Sequence, residues 1–409
     1  MMRGHAARIH IWGIAGLLLV LTVPFAAPAN AQQGQPAPQN VPEVPERNRE
    51  PQGLIAEPDW LERAIVFGDR HLSGGGGSNG FYVNTKSPLP GAGWLTVGPG
   101  YRHWLKNDAV LVDGSAGVSW RGYKVAQARV ELPKLLRSRL TLGAQYRWQD
   151  FRAVKSFGEG SRTAATALTR YQLQAQNVVG YASVRPLRWM ALDAQLGWLA
   201  PTVDTAPGDE PDFAYGELSL TADTRDFPDH PTRGAVVRVA TSRFNDRDRG
   251  DSSFDRHEAE VAGFIPLAGS RIVLATHGWL VASDTDPGQS VPFYLQPSLG
   301  GGRSLRSFSD YRFHDRHMLQ ATAEVRVALM THVDLAGFVD AGNVAARLGD
   351  LDLAKRSYGA GLRFHSRRDT FLRIDVAHGS EGWRTMFSLS EPLSLSRLER
   401  RTAPAPFVP

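Results

Sequence analysis

After about Gly80, hydrophobic and polar residues alternate one by one along the chain. In the stretch Arg139–Gln149 (RLTLGAQYRWQ), one side of an extended chain is apolar and carries Leu140, Leu142, Ala144, Tyr146 and Trp148. The other side carries Thr141, Gly143, Gln145, Arg147 and Gln149. Val125–Leu132 and Leu319–Val327 alternate in the same way. Because successive side chains of a β-strand point to opposite faces, this period of two predicts strands with one apolar and one polar face.

The polar face of these strands distinguishes between two all-β folds. A soluble antiparallel sheet with one solvated face shows the same alternation. In this chain, charged residues recur on the polar face in strand after strand, such as Arg129 and Glu131 in one strand and Glu324 and Arg326 in another. The candidate strands are about ten residues long, the length with which a tilted strand crosses a bilayer. Lipid outside and a water-filled lumen inside would account for both features.

Eight tryptophans give a second indication of a membrane. They fall near predicted strand ends or turns, where the aromatic girdles of outer-membrane barrels lie. Buried core positions are the alternative for them. The residues are Trp94, Trp104, Trp120, Trp148, Trp189, Trp198, Trp279 and Trp383.

Sixteen candidate strands follow one another, from Gly80–Lys86 to Gly382–Ser390. An even number is the rule for single-chain bacterial barrels, which favours keeping the short first strand. The sequence therefore predicts an all-β fold, a transmembrane antiparallel β-barrel of 16 strands with a short N-terminal linker and helix. The long polar connections Ala200–Pro211 and Asn245–Ser253 are predicted to be extracellular loops, and Trp120-Arg121-Gly122 is predicted to be a periplasmic turn.

The beginning of the chain has the features of a secretion signal. Arg3 and Arg8 precede an apolar run from about Ile11 to Val23, and Ala29-Asn30-Ala31 supplies the small-x-small pattern that a signal peptidase accepts. An uncleaved anchor is the alternative, but the run is shorter than the ~20 residues with which a helix spans a bilayer. The mature chain is expected to begin at Gln32.

These signals divide the chain into four predicted segments. Residues 1–31 form the signal peptide, and residues 32–78 form a flexible periplasmic linker with a short amphipathic helix within Asp59–Leu72. Residues 79–391 form the outer-membrane barrel, and residues 392–409 form a C-terminal extension. The linker is rich in proline and glutamine, and it has too few apolar residues to offset the entropy of ordering.

Composition and charge narrow the range of functions. The net charge of +5 is spread along the chain without a basic block, so no nucleic-acid partner is expected. The absence of cysteine excludes disulfides, thiolate metal sites and cysteine nucleophiles. The run His314-Asp315-Arg316-His317 lacks a ligand spacing or a nucleophile motif, and we interpret it as solvated loop charges. We therefore expect no enzymatic activity, no catalytic residues, no cofactor and no metal.

One glycine-rich stretch carries the most specific motif. Ser298–Phe313 (SLGGGRSLRSFSDYRF) lies between the eleventh and twelfth predicted strands. Together with Phe338-Val339-Asp340, Glu324 and Asp223–Gly234 (DTRDFPDHPTRG), it resembles the BamA/TamA superfamily of outer-membrane assembly proteins, the bacterial surface antigen family. That family has a Gly-Gly pair before an aliphatic-Arg-Gly-aromatic tetrapeptide in its sixth extracellular loop, and a Phe-x-Asp motif on its thirteenth strand. Leu305–Phe308 (LRSF) matches the tetrapeptide apart from a serine in place of the glycine.

The resemblance implies that this loop folds into the lumen and is anchored there. The implied hinge is Gly300, Gly301 and Gly302, and the implied anchor residues are Arg306, Asp340, Phe338, Glu324 and Phe308. Phe338 and Asp340 are two residues apart on a strand, so both point inward if either does. A guanidinium can chelate a carboxylate through parallel hydrogen bonds, although Arg306 and Asp340 could also be solvated separately in the lumen. A positive φ at Ser307 would strain the serine.

The resemblance leaves two functions open. Family members that fold or export proteins usually carry periplasmic POTRA domains, and residues 32–77 are too few for one, so the barrel is expected to lack them. The favoured function is insertion or translocation of outer-membrane proteins or lipids through a separable seam. The alternative is a passive structural or weakly conducting barrel plugged by its own loop. Expected partners are outer-membrane lipid and either unfolded outer-membrane protein clients or a separate periplasmic protein.

Overall fold

The structure is a computed structural model that describes residues 53–63, 79–84, 91–93, 95–205, 210–366 and 370–389. The predicted signal peptide, most of the predicted linker and the predicted C-terminal extension lie outside the described residues. Of the predicted amphipathic helix, Asp59–Arg63 is described and is helical. Among the described residues, no helix is both long enough and apolar enough to cross a membrane.

Sixteen antiparallel strands form one sheet, which confirms the predicted fold class and strand number. Each strand pairs with the next along the chain, except that β11 pairs with β14 because two short strands lie in the connection between them. The strands are β1 (Gly80–Asn84), β2 (Thr96–Leu105), β3 (Val110–Ser119), β4 (Lys124–Leu135), β5 (Leu140–Ser156), β6 (Thr169–Leu187), β7 (Met190–Val203), β8 (Phe213–Asp223), β9 (Gly234–Asp246), β10 (Phe254–Pro266), β11 (Ile272–Asp284), β12 (Ser298–Leu299), β13 (Phe313–His314), β14 (His317–Met330), β15 (Val333–Ala345), β16 (Lys355–His365), β17 (Thr370–Gly379) and β18 (Gly382–Ser388).

The two faces of the strands follow the predicted alternation. In β14, the polar residues Gln320, Thr322, Glu324 and Arg326 are buried, whereas Val325 on the opposite face is 41% exposed. Trp120 and Trp383 are exposed at strand ends, as aromatic girdles require. The girdle prediction was wrong for Trp279, which is buried on the inward face in the middle of β11, because the sequence pattern could not reveal that a loop covers it.

The connections between strands alternate between two ends of the sheet, because all neighbouring strands are antiparallel. One end, the loop end, holds the long connections from β7 to β8, from β9 to β10 and from β11 to β14. Strand order places Trp120-Arg121-Gly122, between β3 and β4, at this same end. The prediction of a periplasmic turn there therefore conflicts with the prediction that the connections from β7 to β8 and from β9 to β10 are extracellular. The turn is short, but its side follows from the order of the strands and not from its length. The other end, the turn end, holds mostly short connections, such as the two residues between β14 and β15.

The connection between β11 and β14, residues 285–316, is the lumen loop. It contains a 3-10 helix at Phe293–Leu295 and the short hairpin of β12 and β13. Its apolar side chains pack on inward-facing residues from two sides of the sheet. On one side the cluster is Trp279, Val281, Leu299, Leu305, Phe308, Phe313, Met318 and Val344. On the other side Val291, Tyr294, Leu295 and Tyr311 join a cluster with residues of β5 to β10, so the loop fills the space that the sheet encloses.

Candidate functional site: the anchor of the lumen loop

The glycines at 300–302 form the turn through which the loop enters its buried position. Gly300 and Gly301 have φ values of +116° and +96°, in the region that favours glycine. A Cβ at Gly300 would lie 2.1 Å from the carbonyl oxygen of Ser309. Gly300 N–H donates to Ser304 Oγ at 2.9 Å, and Gly301 N–H donates to the Phe308 carbonyl at 3.1 Å. The turn therefore needs glycine for both its conformation and its close packing at Gly300.

Arg306 lies 34 residues before Asp340 in the chain and contacts it directly. Its Nη2 donates to Asp340 Oδ1 at 2.8 Å, its Nε donates to Oδ2 at 3.0 Å, and its backbone N–H donates to Oδ2 at 3.2 Å. Both side chains are buried, with 1% of Arg306 and none of Asp340 exposed. This is the forked geometry in which a guanidinium matches a carboxylate.

Glu324, the second implied acidic residue, joins three guanidinium groups. Its Oε2 accepts from Arg306 Nη1 at 2.9 Å and from Arg363 Nη2 at 2.8 Å, and its Oε1 accepts from Arg326 Nε at 2.9 Å. Asp375 on β17 accepts from Arg363 Nη1 at 2.5 Å. These buried charges form the lumen network, whose members are Arg306, Arg326, Arg363, Arg373, Glu324, Asp340 and Asp375. Its four guanidinium groups face three carboxylates.

Two aromatic rings complete the anchor. The guanidinium carbon of Arg306 lies 3.3 Å from the centre of the Phe338 ring, a stacked cation–π contact. Phe308 is the last residue of the tetrapeptide. Its ring contacts that of Phe313 in an edge-to-face arrangement, with 5.3 Å between the ring centroids. Phe308 therefore contributes apolar packing within the loop, while Phe338 contributes a face for the arginine.

Ser307 occupies the tetrapeptide position of the family glycine without a positive φ, since Tyr311 has the one positive φ of a non-glycine residue in the described loop. Its backbone N–H donates to Ser357 Oγ at 3.1 Å, and the two hydroxyls lie 2.7 Å apart. A Cβ at Gly379 would lie 2.2 Å from Ser307 Oγ, so glycine on β17 makes the room for this serine.

The protonation of Arg306 is fixed by its surroundings. Burial opposes its charge, but the carboxylates of Asp340 and Glu324 outweigh burial and raise the pKa of Arg306 above its ordinary value. The arginine is therefore cationic at every physiological pH. A permanent charge with several oriented acceptors can hold a loop in one position, because moving it would leave buried carboxylates unpaired.

The lumen loop also contacts elements near the beginning and the end of the sheet. Arg384 of β18 donates to the Phe308 carbonyl and to Asp310 Oδ2, the latter at 3.0 Å. Lys155 of β5 donates to Ser309 Oγ at 2.7 Å. A Cβ at Gly91, in the connection between β1 and β2, would lie 3.5 Å from Asp310 Cβ. Asp310 therefore lies between elements from the beginning and the end of the sheet.

The residues of the HDRH run are not solvated loop charges, so that interpretation was wrong. His314, Asp315 and His317 are buried. His314 Nδ1 lies 2.7 Å from Gln296 Oε1, and its Nε2 lies 3.1 Å from Ser156 Oγ of β5. The run is buried because it follows and includes part of the short hairpin of β12 and β13, which packs against the inward face of the large sheet. A local sequence pattern does not reveal this packing.

Sequence reasoning also missed three of the seven residues of the lumen network. Arg363, Arg373 and Asp375 lie on the inward faces of β16 and β17. The alternating pattern did contain an indication of these residues. Arg373 and Asp375 are two residues apart on one strand and so share a face, and Arg363 pairs directly with Arg373 on the neighbouring strand. Two like charges at facing positions require carboxylates close by.

Comparison with known proteins identifies the family. Residues 112–377 match the Omp85 superfamily domain, and the chain belongs to the Omp85 superfamily. Among solved structures it resembles BamA from Haemophilus ducreyi lacking POTRA domains 1-3, with 16% identity, a TM-score of 0.57, and coverage of 76% of this chain and 69% of that chain. It also resembles CdiB from Escherichia coli, with 15% identity, a TM-score of 0.54, and coverage of 76% of this chain and 61% of that chain. No curated protein matches it.

At such low identity, the likeness to these two structures establishes the fold alone. Family and fold together make the chain an outer-membrane β-barrel of the BamA/TamA type, which confirms the predicted class and location. Because the extracellular loops of such barrels are the longer connections, the loop end faces outward and the turn end faces the periplasm.

Proposed function

We propose that the chain inserts or translocates outer-membrane proteins or lipids, and that it does so at the seam between β1 and β18. The observation that carries this proposal is the state of the seam. Within the part of the chain that the structure describes, β1 pairs with β2 alone and β18 pairs with β17 alone. β1 is five residues long and β18 is seven. A strand edge with unpaired backbone groups can accept a strand from another chain.

The lumen loop supports this proposal because it could control the seam. Arg306, Asp340, Phe338, Glu324 and Phe308 act as its anchor, with the hinge at the glycines 300–302. From this anchor the loop reaches Arg384 on β18 and approaches Gly91 behind β1. In this proposal the loop holds both flanks of the seam in register while the seam opens. Clients or a separate periplasmic partner would approach from the turn end, and no step requires catalysis or a cofactor.

A disulfide across the seam tests the proposal. The chain has no cysteine, so introduced pairs are the sole thiols. Cysteines at Phe81 or Val83 of β1 are combined with cysteines at Thr385 or Phe387 of β18, and pairs that oxidise quantitatively are kept. The protein in liposomes is then mixed with an unfolded outer-membrane barrel protein, and the folding rate of that client is measured. Oxidation should abolish any acceleration, and reduction should restore it.

The control pair is Val97→Cys with Val118→Cys, because these residues already face each other in the ladder of β2 and β3. Both are about as exposed on the outer face as Val83, at 55% and 51%. Oxidising this pair should leave client folding unchanged. A seam-locked protein that accelerates folding as well as the reduced protein would refute insertion at the seam.

A passive barrel, plugged by its own loop, is the second candidate function. The observation that favours it is the depth of the loop, in which Leu299, Leu305, Arg306 and Phe308 are at most 1% exposed. Planar-bilayer recordings should then show small or intermittent conductance, and deleting Gly301–Asp310 should enlarge it. Deleting the exposed residues 248–250 in the connection between β9 and β10 is the control. A large, steady pore in the intact protein would contradict the plug.

A further inference from the structure

Three buried side chains from separate segments converge at the turn end. They are His230 in the connection between β8 and β9, Asp334 at the start of β15, and His365 at the end of β16. His365 Nε2 lies 3.2 Å from Asp334 Oδ1, and His230 Nε2 lies 3.6 Å from Asp334 Oδ2. One ligand atom of each residue lies within 4.8 Å of the others. We propose that these residues bind a divalent transition-metal ion of the zinc class.

The hydrogen bonds behind the two rings favour a metal. His365 Nδ1 lies 2.9 Å from the carbonyl oxygen of Ser366, so this nitrogen carries the proton and donates. With Nδ1 donating, the lone pair of a neutral ring lies on Nε2, which faces the Asp334 carboxylate and can bind a metal ion beside it. His230 Nδ1 lies 3.1 Å from Thr370 Oγ1, a hydroxyl that can accept from it, so His230 Nε2 can face the same ion. Metal-binding histidines regularly have such a partner on the second ring nitrogen.

The spacing also fits the ion. Zinc bonds to histidine nitrogen and carboxylate oxygen are about 2.0–2.2 Å long, and in a tetrahedral site this places neighbouring ligand atoms roughly 3.3–3.5 Å apart. The separations of Asp334 from the two histidines, 3.2 Å and 3.6 Å, lie on either side of that value. The two imidazole rings are stacked with their centroids 3.7 Å apart, so binding an ion requires them to tilt until both Nε2 atoms point at it. Imidazole and carboxylate ligands together suit zinc better than calcium or magnesium. Three protein ligands leave a fourth position for water.

Two charged groups stand near the site. Arg326 opposes a cation there, but its Nε donates to Glu324 Oε1 at 2.9 Å, within the lumen network. Glu57 lies 3.1 Å from His332 Nδ1, and the ring of His332 lies 6.5 Å from that of His365. The metal would therefore be held by one carboxylate and two imidazoles.

A metal here would join elements that are not neighbours in the sheet. β8 and β9 are separated from β15 and β16 by β10, β11 and β14. Their contact rests on the connection at residues 224–233, in which the Asp229 carbonyl accepts from Thr370 N–H at 3.3 Å. The ion would fasten this connection across the periplasmic opening of the lumen.

The test is metal binding by the full chain, purified in detergent without a histidine tag and stripped with a chelator. Calorimetric titration with zinc chloride should show one ion per chain, and cobalt(II) should give the intense visible absorption of a tetrahedral complex. His230→Ala, His365→Ala and Asp334→Asn should each weaken zinc binding at least about 100-fold, since each removes a ligand. Thr370→Val should weaken it about 10–100-fold through the ring of His230. The exposed His257→Ala is the matched control and should bind zinc normally.

Heat-modifiable gel mobility shows which variants are folded, and a variant that does not fold is set aside. Asp334→Asn and Thr370→Val keep the shape of the side chain, so they remain informative if a histidine variant fails to fold. Zinc binding of equal affinity in the wild type and in the folded ligand variants would overturn the proposal. The absence of any zinc or cobalt binding by the wild type would overturn it as well.

Discussion

The inner wall contains two arginine–aspartate pairs with an aromatic ring, and their surroundings differ. On β2 and β3, Arg102 Nε donates to Asp113 Oδ2 at 2.7 Å, and its guanidinium lies 5.3 Å from the Tyr82 ring centre. The Arg102 side chain is 20% exposed, whereas that of Arg306 is 1% exposed. Both sites combine an arginine, an aspartate and an aromatic ring, but the lumen loop covers only the second.

This difference teaches where an ion pair becomes a structural element. A pair that water reaches gains less, because water screens it and competes for its hydrogen bonds. A fully buried pair is costly to form, but it is also costly to break, because the remaining charge has no solvent. The pair at Arg102 and Asp113 lies beside the short β1, and the lumen network lies on β14 to β17, near the other edge of the sheet.

Neutralising Glu324 should have the largest effect. Glu324→Gln leaves four buried guanidinium groups facing two carboxylates, and it removes the shared partner of Arg306, Arg326 and Arg363. We expect a loss of about 3–5 kcal/mol in the free energy of unfolding, measured by urea titration in detergent. Glu217→Gln is the control, because that glutamate accepts from Arg238 at 2.5 Å between β8 and β9 and lies outside the lumen network. Equal losses in the two variants would contradict a special role for the network.

Removing Arg306 should cost less than removing Glu324, because three guanidinium groups then balance three carboxylates. Arg306→Ala and Asp340→Ala should each lower the free energy of unfolding by about 1.5–3 kcal/mol, the range for hydrogen bonds to charged groups, with Asp340→Ala at the upper end because it removes one of the three carboxylates. Each should also increase protease cleavage within the lumen loop. The double variant should be little worse than either single variant, because the two residues act as one unit. Full additivity would show that the residues do not interact.

The pair at Arg102 and Asp113 provides the comparison for this cycle. Arg102→Ala should cost less than Arg306→Ala, since the Arg102 side chain is 20% exposed and the Tyr82 hydroxyl still donates to Asp113 when the arginine is removed. A double-mutant cycle with Arg102→Ala, Asp113→Ala and the double variant should give a small interaction energy. A large one would mean that burial under the loop is not what distinguishes the two sites.

The cost of replacing each hinge glycine by alanine should depend on its backbone conformation and on the space available for a Cβ. Gly300→Ala combines a positive φ with a Cβ 2.1 Å from a backbone oxygen, so we expect a cost of more than about 1–2 kcal/mol and a loosened loop. Gly302→Ala should be milder, because Gly302 has no positive φ and its Cβ would meet a side-chain nitrogen of Arg373 at 3.1 Å. Gly250→Ala is the control, with a positive φ and no atom within 4 Å. Protease access to residues 300–310 measures the loop directly, and an unchanged pattern in Gly300→Ala would remove the glycine from the hinge.

The sequence predicted the wall of the barrel better than its interior. Alternation fixes which face of a strand is inward, because the period of two is a property of the backbone, and Gln320 to Arg326 therefore lie where the pattern put them. The motif resemblance also related Arg306 to Asp340. Arg363, Asp375 and the buried position of His314 depend on how distant strands and the loop meet, and no local pattern contains that information. The convergence of His230, Asp334 and His365 is of the same kind.

The smallest expected effect concerns the side of the lumen loop that faces β5. Burial lowers the pKa of His314 below its usual value, with the Glu159 carboxylate opposing the shift. The unfolded chain therefore takes up a proton at a higher pH than the folded chain does, near the ordinary histidine value of about 6.5. His314 thus contributes stability that is complete above that pH and is lost as the pH falls below it.

His314→Gln should reduce this dependence of stability on pH. Thermal unfolding at several pH values on either side of the ordinary histidine pKa measures how steeply stability changes with pH. The wild type should lose more stability on acidification than His314→Gln, whereas the exposed His257→Gln should behave as the wild type does. Such a result would extend the effect of loop burial from the arginine anchor at β15 to Ser156 on β5, which His314 contacts. Identical slopes for the wild type and His314→Gln would confine that effect to the anchor side.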